Sequence, residues 1–317
     1  MKKFDVIAIG ELNVDLILNR IDGFPEIGKE KFAKDMVLTL GSSTAIFAAN
    51  IAALGAKTAF VGMVGKDVFG TLIKESLSAK SVDTSFIIES DDYPSGATIV
   101  LNYEDDRANV TYQGAMDVMS FKDIDKKIFD ETTHIHISSI FMQSGIKRDL
   151  FEILKFAKEK GITTSLDTQW DPLEKWELDY AKVLPYVSVF MPNEKELQLL
   201  TRSSDLNTAI EKIQPFINVC IIKRGKNGSL LVQKDGTQHH QEAFFNENVV
   251  DAIGAGDSFN SGFIYQFIKG QPLTECQRFG NLMGAINTTA SGGTGAFTSK
   301  KIIKQIAEER FKQSISL

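Results

Sequence analysis

The stretch VVDAIGAGDSFNSGF, residues 249–263, carries the strongest structural signal in the sequence. Gly254, Ala255 and Gly256 precede a run whose aromatic residues recur at helical spacing. A helix that begins here presents backbone N–H groups with no bulky side chains around them, and its dipole favours negative charge. The pattern therefore predicts a helix over 256–268 whose first turn binds an anion such as a phosphate.

Asp257 lies in the first turn of this predicted helix. An aspartate there suits a helix terminus, and beside a phosphoryl group it is also placed to act as a base. Small-residue turns before helices are common, so a tight turn followed by a capping aspartate explains the same pattern. The spacing alone leaves both interpretations open.

Outward from this stretch, apolar β-branched runs alternate with amphipathic runs along most of the chain. Such alternation predicts an α/β fold with a doubly wound, mainly parallel sheet and helices on both faces. The predicted strands are 4–9, 58–64, 134–138, 163–166, 187–191 and 219–223, and the predicted helices are 43–54, 67–79, 147–159, 194–200, 205–213, 256–268 and 273–289.

Two regions, approximately 12–40 and 95–114, interrupt this alternation. Each has two short strand-like runs around a turn-rich stretch, and EDDR at 104–107 predicts the turn of a hairpin. Together they predict a small antiparallel β lid over the carboxyl ends of the parallel strands. Because no repeat or linker divides the chain, we expect one domain over 1–317.

The chain has 317 residues, enough for one large domain. Its 35 Lys and Arg against 41 Asp and Glu give a net charge of −6, which argues against nucleic acid as the main partner. No run approaches the ~18 apolar residues of a membrane span, and the first apolar run is too short for a signal peptide. The two cysteines lie in no CxxC or Cys/His cluster. The sequence thus predicts a cytoplasmic protein without a membrane or nucleic-acid partner.

The run from Asp251 to Gly262 resembles the carboxy-terminal motif of the ribokinase-like (PfkB) carbohydrate kinases, Asp-Thr-x-Gly-Ala-Gly-Asp. The resemblance implies a ribokinase-like fold in which Asp257 is the catalytic base and the backbone of residues 254–256 is the anion hole. Ala252 stands where the family has Thr. This departure removes one hydroxyl near the phosphates but none of the backbone donors.

The amino end is similar to the family's first strand and turn. In GELNVD, residues 10–15, the resemblance implies that Asp15 accepts hydrogen bonds from sugar hydroxyls and that Asn13 assists it. The residues alone also fit an ordinary turn aspartate. Arg107, in the predicted lid hairpin, is either a contact to the sugar or its phosphate or an exposed turn arginine.

GSSTAI at 41–46 resembles the family's glycine-rich motif, usually Gly-Gly-x-x-Ala-Asn, which implies that Gly41 and Ser42 bind the substrate. Ile46 stands where the family has a substrate-binding Asn, and this difference obscures the identity of the sugar. Asn50, one helical turn later, is a candidate replacement.

MPNEKE at 191–196 is similar to the family's Pro-Asn-x-x-Glu element. Asn193 and Glu196 project from one side of a helix start, so they are placed to hold water around a Mg²⁺ that bridges the phosphates of ATP. An N-capping Asn with a glutamate three residues later is the structural alternative.

IKRGKNG at 222–228 corresponds to the family's turn beside the nucleotide, which implies ATP contacts from Lys223, Gly225 and Gly228. A solvated basic turn is the alternative. Asn281, in a segment similar to the family's adenine-pocket helix, is a candidate contact to the base.

The resemblance also implies a site for a monovalent cation, K⁺ being the candidate. Its ligands would come from Asp251, the Ile253 carbonyl, Gly295 and Ser299. An apparent insertion before Gly295 blurs the alignment of that loop.

Together these features predict an ATP-dependent kinase that phosphorylates a hydroxyl of a small sugar. Three alternatives stay open to different degrees: a nucleoside kinase of the same fold, a catalytically silent sugar or nucleotide sensor, and a dinucleotide oxidoreductase. The last lacks support because residues 10–15 contain no GxGxxG fingerprint. An apolar outer face of the lid would favour a homodimer.

Overall fold

The structure, a computed structural model, describes residues 2–103 and 107–317, so residues 104–106 of the predicted turn at 104–107 lie outside the described residues. The β-strands are β1 (Phe4–Ile9), β2 (Asn13–Asn19), β3 (Asp35–Leu40), β4 (Thr58–Gly65), β5 (Val82–Ser90), β6 (Gly96–Asn102), β7 (Arg107–Tyr112), β8 (Thr132–Ser138), β9 (Thr163–Asp167), β10 (Val189–Phe190), β11 (Val219–Lys223), β12 (Ser229–Gln233) and β13 (Gln238–Gln241). The α-helices are α1 (Ser43–Leu54), α2 (Val68–Ala79), α3 (Ala115–Val118), α4 (Ile128–Glu131), α5 (Ser144–Glu159), α6 (Tyr180–Val183), α7 (Glu194–Thr201), α8 (Leu206–Ile213), α9 (Ala255–Phe267), α10 (Leu273–Asn287) and α11 (Lys300–Phe311).

Within the described ranges, nine strands form the large sheet in the order β13-β12-β11-β10-β9-β8-β1-β4-β5. In this order, the seven neighbouring strands β5, β4, β1, β8, β9, β10 and β11 are parallel. The strands β12 and β13 add antiparallel pairs at the other edge of the sheet. Their parallel direction places the carboxyl ends of β1, β8, β9, β10 and β11 along one edge of the sheet. The residues that follow these strands therefore meet there.

Two apolar cores cover the two faces of the large sheet. Side chains alternate between them along β1: Ile7 and Ile9 pack with α5, while Val6 and Ala8 pack with α1 and α9. Burial on both faces explains why the strands are continuous apolar runs rather than alternating ones. The predicted doubly wound α/β fold is confirmed.

Side-chain caps start several helices where the sequence predicts them. Asp67 accepts from the amide of Gly70 at α2, and Asp205 accepts from the amide of Thr208 at α8. No helix among the described residues is both long enough and apolar enough to cross a membrane.

The second sheet has the order β3-β2-β6-β7 and is the predicted lid. The β2–β3 and β6–β7 pairs are antiparallel, but β2 and β6 pair in parallel because the long chain segment from α1 to β5 separates them. On one face of the lid, Asp15 lies beside Thr98. On the other, outer face, Leu38, Ile99 and Val110 are 40%, 42% and 63% exposed, which leaves an uncovered apolar surface.

Candidate active site

The start of α9 presents open backbone amides at the carboxyl edge of the large sheet. Gly254 adopts a left-handed conformation (φ 73°), and a Cβ there would lie 2.6 Å from Cα of Gly293. The amides of Gly254, Gly256 and Asp257 donate to no acceptor within residues 2–103 and 107–317, whereas Ala255 donates to the Ala252 carbonyl at 3.2 Å. A helix start with unpartnered N–H groups is suited to bind a phosphate oxygen.

The Asp257 carboxylate lies beside these amides and is only 6% exposed. Its Oδ1 accepts a hydrogen bond of 2.9 Å from Nε2 of Gln169. Burial, with the nearby charge of Asp167, raises the pKa of Asp257 well above its usual range. The helix terminus alone would predict a weak, fully ionised base, but desolvation outweighs the dipole, so Asp257 is a stronger base than the sequence suggests.

A buried lysine and two polar side chains surround Asp167 at the end of β9. Nζ of Lys223 lies 2.5 Å from Oδ2 of Asp167, and Nδ2 of Asn260 donates to the same oxygen at 2.6 Å. Burial alone would lower the pKa of Lys223, but the charges of Asp167 and Glu196 outweigh it and raise that pKa. Since the lysine approaches Gly256, where a Cβ would lie 3.7 Å from its Nζ, a positive charge stands at the open amides.

Asn193 and Glu196 form the capping box that the sequence gave as the structural alternative, and their role at Mg²⁺ stays a prediction. They make a reciprocal capping box, with Oδ1 of Asn193 accepting from the Glu196 amide at 2.8 Å and Oε2 of Glu196 accepting from the Asn193 amide at 2.9 Å. Glu196 nevertheless stays within electrostatic reach of Asp167 and Lys223, and burial together with the Asp167 charge raises the pKa of Glu196 to about 7. A carboxylate held this way fits a water-mediated contact to Mg²⁺, because its geometry is fixed and it faces the cluster.

The lid carries the predicted sugar-binding pair. Nδ2 of Asn13 donates to Oδ1 of Asp15 at 2.8 Å and to Oγ1 of Thr98 at 3.0 Å. Burial raises the pKa of Asp15 to about 6, although the Asn13 hydrogen bond and the Arg107 charge act to lower it. A Cβ on Gly41 would lie 2.6 Å from Nδ2 of Asn13, so this glycine makes room for the pair.

Ser42 has a structural role that the sequence did not indicate. Its hydroxyl caps α1 by accepting from the Ala45 amide at 2.9 Å and donates to the Glu11 carbonyl at 2.7 Å. Glu11 is buried, and its carboxylate accepts from the Thr44 amide at 3.2 Å. Because Ser42 is the N-cap of α1, these bonds fix the glycine-rich turn to the segment that follows β1.

Ile46, which replaces the family's Asn, and Asn50, the candidate replacement for it, are both buried against neighbouring residues. Ile46 is 7% exposed and packs so closely on Gly293 that a Cβ on that glycine would overlap it. Asn50 donates to Oγ of Ser258 and to the Gly293 carbonyl, both at 2.8 Å. Both side chains therefore join α1 to the loop that follows α10.

The predicted nucleotide turn lies between β11 and β12. Gly225 (φ 54°) has open space around it, while a Cβ on Gly228 (φ 74°) would overlap the Gln241 carbonyl of β13. Asn281 is 8% exposed and donates to Oγ of Ser229 at 2.7 Å. Gly225 thus remains accessible for a ligand, whereas Gly228 and Asn281 have clear packing roles as well.

The oxygens of Asp251, Ile253 and Ser299, which were proposed for a monovalent cation, already accept N–H groups of the protein. Asp251 accepts from the amides of Ile253 and Gly292, both at 2.9 Å, and the Ile253 carbonyl accepts from Nδ2 of Asn287 at 2.6 Å. The hydroxyl of Ser299 caps α11. The K⁺ site stays a prediction, and we derive no step through a monovalent cation.

Sequence reasoning missed two central residues, Gln169 and Asn260, and gave Asp167 no role. Asp167 ends a predicted strand, and polar residues at the carboxyl ends of parallel strands are candidates for a site. That positional signal was available for Asp167 and Gln169. Asn260 lies one turn after Gly256 on α9, where helical spacing brings it back to the same face.

This geometry defines a phosphotransferase site on a doubly wound α/β fold, and comparisons with known proteins agree. The family model described as "pfkB family carbohydrate kinase" matches residues 3–300 of the chain. The chain therefore belongs to the pfkB family of carbohydrate kinases and is an ATP-dependent sugar kinase.

Three similar proteins illustrate the relationship. The chain is 30% identical over 233 residues to an uncharacterised sugar kinase of Archaeoglobus fulgidus, covering 73% of this chain and 91% of the relative. It is 26% identical over 325 residues to 5-dehydro-2-deoxygluconokinase of Geobacillus thermodenitrificans, covering 97% and 94%. A putative ribokinase II from E. coli, solved with ATP and Mg²⁺, superposes with a TM-score of 0.83 at 24% identity and covers 97% of this chain and 100% of that one. This last similarity, in fold, confirms the predicted ribokinase-like architecture.

Proposed function

We propose that Asp257 accepts the proton of a sugar hydroxyl while that hydroxyl oxygen attacks the γ-phosphorus of ATP. The new oxygen–phosphorus bond forms as the bond between the γ-phosphorus and the β–γ bridging oxygen breaks, and ADP leaves. The observation that carries this proposal is the position of the Asp257 carboxylate beside the open amides of Gly254 and Gly256. Phosphoryl transfer needs mainly alignment and neutralisation of the oxygens, which these groups supply.

The other residues of the candidate site bind the substrates and neutralise the charge of the phosphates. Lys223 and the α9 amides balance the charge of the transferred group, and Glu196 orients water around Mg²⁺. Mg²⁺, when bound, neutralises charge on the β- and γ-phosphates. Asp15 accepts hydrogen bonds from sugar hydroxyls beneath the lid, and Asn13 holds the Asp15 carboxylate in place.

A keto-deoxy sugar acid is the first acceptor we propose to test. Its support is the name of the relative from G. thermodenitrificans, which covers almost the whole chain. Neutral hexoses, pentoses and nucleosides are the other acceptor classes to test.

A coupled ADP-release assay tests the proposed function over these acceptor classes. We expect acceptor-dependent ADP release with at least one sugar or sugar acid and loss of that release in Asp257→Asn. A preference for nucleosides would replace the sugar by a nucleoside in the proposal. ADP release with none of the acceptors, from a folded protein that binds ATP, would favour a silent sensor and refute the kinase.

We further propose a homodimer in which two lids cover each other. The support is the exposed apolar outer face around Leu38, Ile99 and Val110. Sedimentation should give a dimer for the wild type and a monomer for Ile99→Lys. A monomeric wild type at micromolar concentration would contradict this pairing.

A further inference from the structure

Gln169 connects the two central carboxylates of the site. Its Nε2 lies 2.9 Å from Oδ1 of Asp257 and 3.0 Å from Oδ2 of Asp167. The amide nitrogen must face the carboxylates, because an amide oxygen in that place would meet two acceptors. One neutral side chain thus donates a hydrogen bond to each acid.

The backbone that carries Gln169 is held in an uncommon conformation. Its φ is 57°, in the left-handed region that a residue with a Cβ seldom adopts. The buried Asp171 carboxylate fixes the following loop by accepting from the amides of Leu173 at 2.9 Å and Trp176 at 2.7 Å. Conformations of this kind persist only where the surroundings enforce them. The direction of the Gln169 side chain is therefore set by the loop.

Gln169 and its two hydrogen bonds, to Asp167 and Asp257, form a bridge whose Asp167 end is also fixed. Asp167 is fully buried, and its Oδ2 receives Lys223 and Asn260 in addition to Gln169. The contacts form a continuous path from Lys223, beside the open amides, through Asp167 and Gln169 to Asp257. Among the described residues, Oδ2 of Asp257 accepts no hydrogen bond, so one carboxylate oxygen is anchored and the other is left for a proton.

We propose that Gln169 is a positioning residue for phosphoryl transfer, whose amide holds one oxygen of Asp257 so that the other faces the acceptor hydroxyl. The inference rests on the proposed function and adds a residue to it. A donor aimed at the carboxylate also favours its ionised form, the form that accepts a proton. Because the donor is neutral, it orients Asp257 without adding charge to the phosphate side.

Several charged groups face Asp257 and define the background against which the bridge acts. They come from four elements packed around it: Glu11 after β1, Asp167 of β9, Glu196 of α7 and Lys223 of β11. Removing the bridge leaves all four in place. A change in the pH dependence of the bridge variants therefore reports on the lost hydrogen bond rather than on a lost charge.

The experiment compares Gln169→Met with Thr168→Val. Met keeps the length of the side chain and removes the donor. Thr168 is the adjacent residue, fully buried, and its hydroxyl has no partner within the described residues, so Val matches its shape and should leave activity unchanged. We expect kcat of Gln169→Met to fall roughly 10- to 100-fold, the effect of one hydrogen bond to a charged group, with KM for ATP unchanged.

The pH profile separates positioning from simple structural support. In Gln169→Met the acid limb of kcat should move to higher pH, because the carboxylate loses a donor that favours its ionised form. Gln169→Glu removes the donor and adds a third acid, so its kcat should be lower still. Gln169→Asn, which keeps the amide on a shorter side chain, should recover part of the activity. Wild-type kcat in Gln169→Met, or a loss of kcat with an unmoved acid limb, would overturn the proposal.

A carbon-13 NMR titration of the Asp257 carboxyl gives an answer that does not depend on turnover. The pKa of Asp257 should be higher in Gln169→Met than in the wild type if the amide stabilises the ionised form. An unchanged pKa would refute the bridge even in an active kinase. A raised pKa in a protein that phosphorylates no acceptor would support the bridge and refute the proposed function, so the two failures are distinguishable.

Discussion

The proposed phosphate and sugar ends of the candidate site are built on different kinds of sheet. At the phosphate end, Gly254, Asp257 and Lys223 lie at the carboxyl edge of parallel strands that are covered on both faces. At the sugar end, Asn13 and Asp15 stand on a four-stranded lid whose outer face is exposed. Close packing restricts side chains at the first end far more than at the second. We therefore expect substitutions at the edge of the large sheet to affect the reaction and substitutions on the lid to affect substrate choice.

We expect the largest effect on kcat from a substitution of Asp257 at the phosphate end. Asp257→Asn keeps the shape of the side chain and removes the base, so kcat should fall about 10³-fold. ATP binding should persist, because the amides and Lys223 are untouched. Steady-state ADP release and calorimetric ATP binding measure the two quantities. Near-normal turnover in this variant would show that the phosphate end does not contain the base.

Two glycines of the same turn provide a matched test of packing. Gly254→Ala should lose stability by about 2 kcal/mol, since its φ is positive and its Cβ would lie 2.6 Å from Cα of Gly293. It should also lose about 10²-fold in kcat/KM for ATP, because the anion-binding amides move. Gly256→Ala meets only Lys223, at 3.7 Å, and should fold normally. Equal behaviour of the two variants in thermal unfolding and ATP kinetics would contradict the account of this turn.

At the sugar end, a substitution of Asp15 should change the affinity for the sugar. Asp15→Asn retains the size of the side chain but weakens its acceptor, so KM for the sugar should rise about tenfold with kcat for bound substrate little changed. Initial-rate kinetics with the best acceptor measure this split. A fall in kcat as large as that of Asp257→Asn would remove the distinction between the two ends.

The smallest effect concerns pH. Because burial raises the pKa of Asp15 from 3.8 to about 6, KM for the sugar should increase as pH falls through 6 and the carboxyl protonates. The same raised pKa means that the stability contributed by this group is present below pH 3.8 and is lost as pH rises through about 6. Both trends should disappear in Asp15→Asn, as measured by KM and thermal unfolding between pH 5 and 7. A KM that stays pH-dependent in this variant would assign the trend to another group.

The sequence predicted the local part of this architecture well. The starts of α2, α8 and α9 and the strands β1 and β11 depend on residues within a few positions of each other. The strands β5, β12 and β13 and the helix α11 were not predicted. The mixed polar pattern of β13, QHHQ, acquires its strand only by pairing with β12, which no local rule reveals.

In the candidate site too, the sequence predicted features that depend on neighbouring residues and missed contacts between distant ones. Asp257 and the residues 254–256 were found because they are adjacent, while the Gln169–Asp257 contact joins residues 88 positions apart. The pKa of Asp257 is likewise a property of burial, which the sequence does not report. For Asn193 and Glu196 the sequence posed two interpretations, and the structure shows the capping box, with Glu196 electrostatically coupled to Asp167 and Lys223.

A crystal structure with ADP, aluminium fluoride, Mg²⁺ and the preferred acceptor would probe the centre of this account most directly. The planar aluminium fluoride should accept hydrogen bonds from the backbone N–H groups of Gly254 and Gly256. The acceptor hydroxyl oxygen should lie within hydrogen-bond distance of Oδ2 of Asp257. A fluoride held elsewhere, or an acceptor oxygen out of reach of that carboxylate, would contradict it.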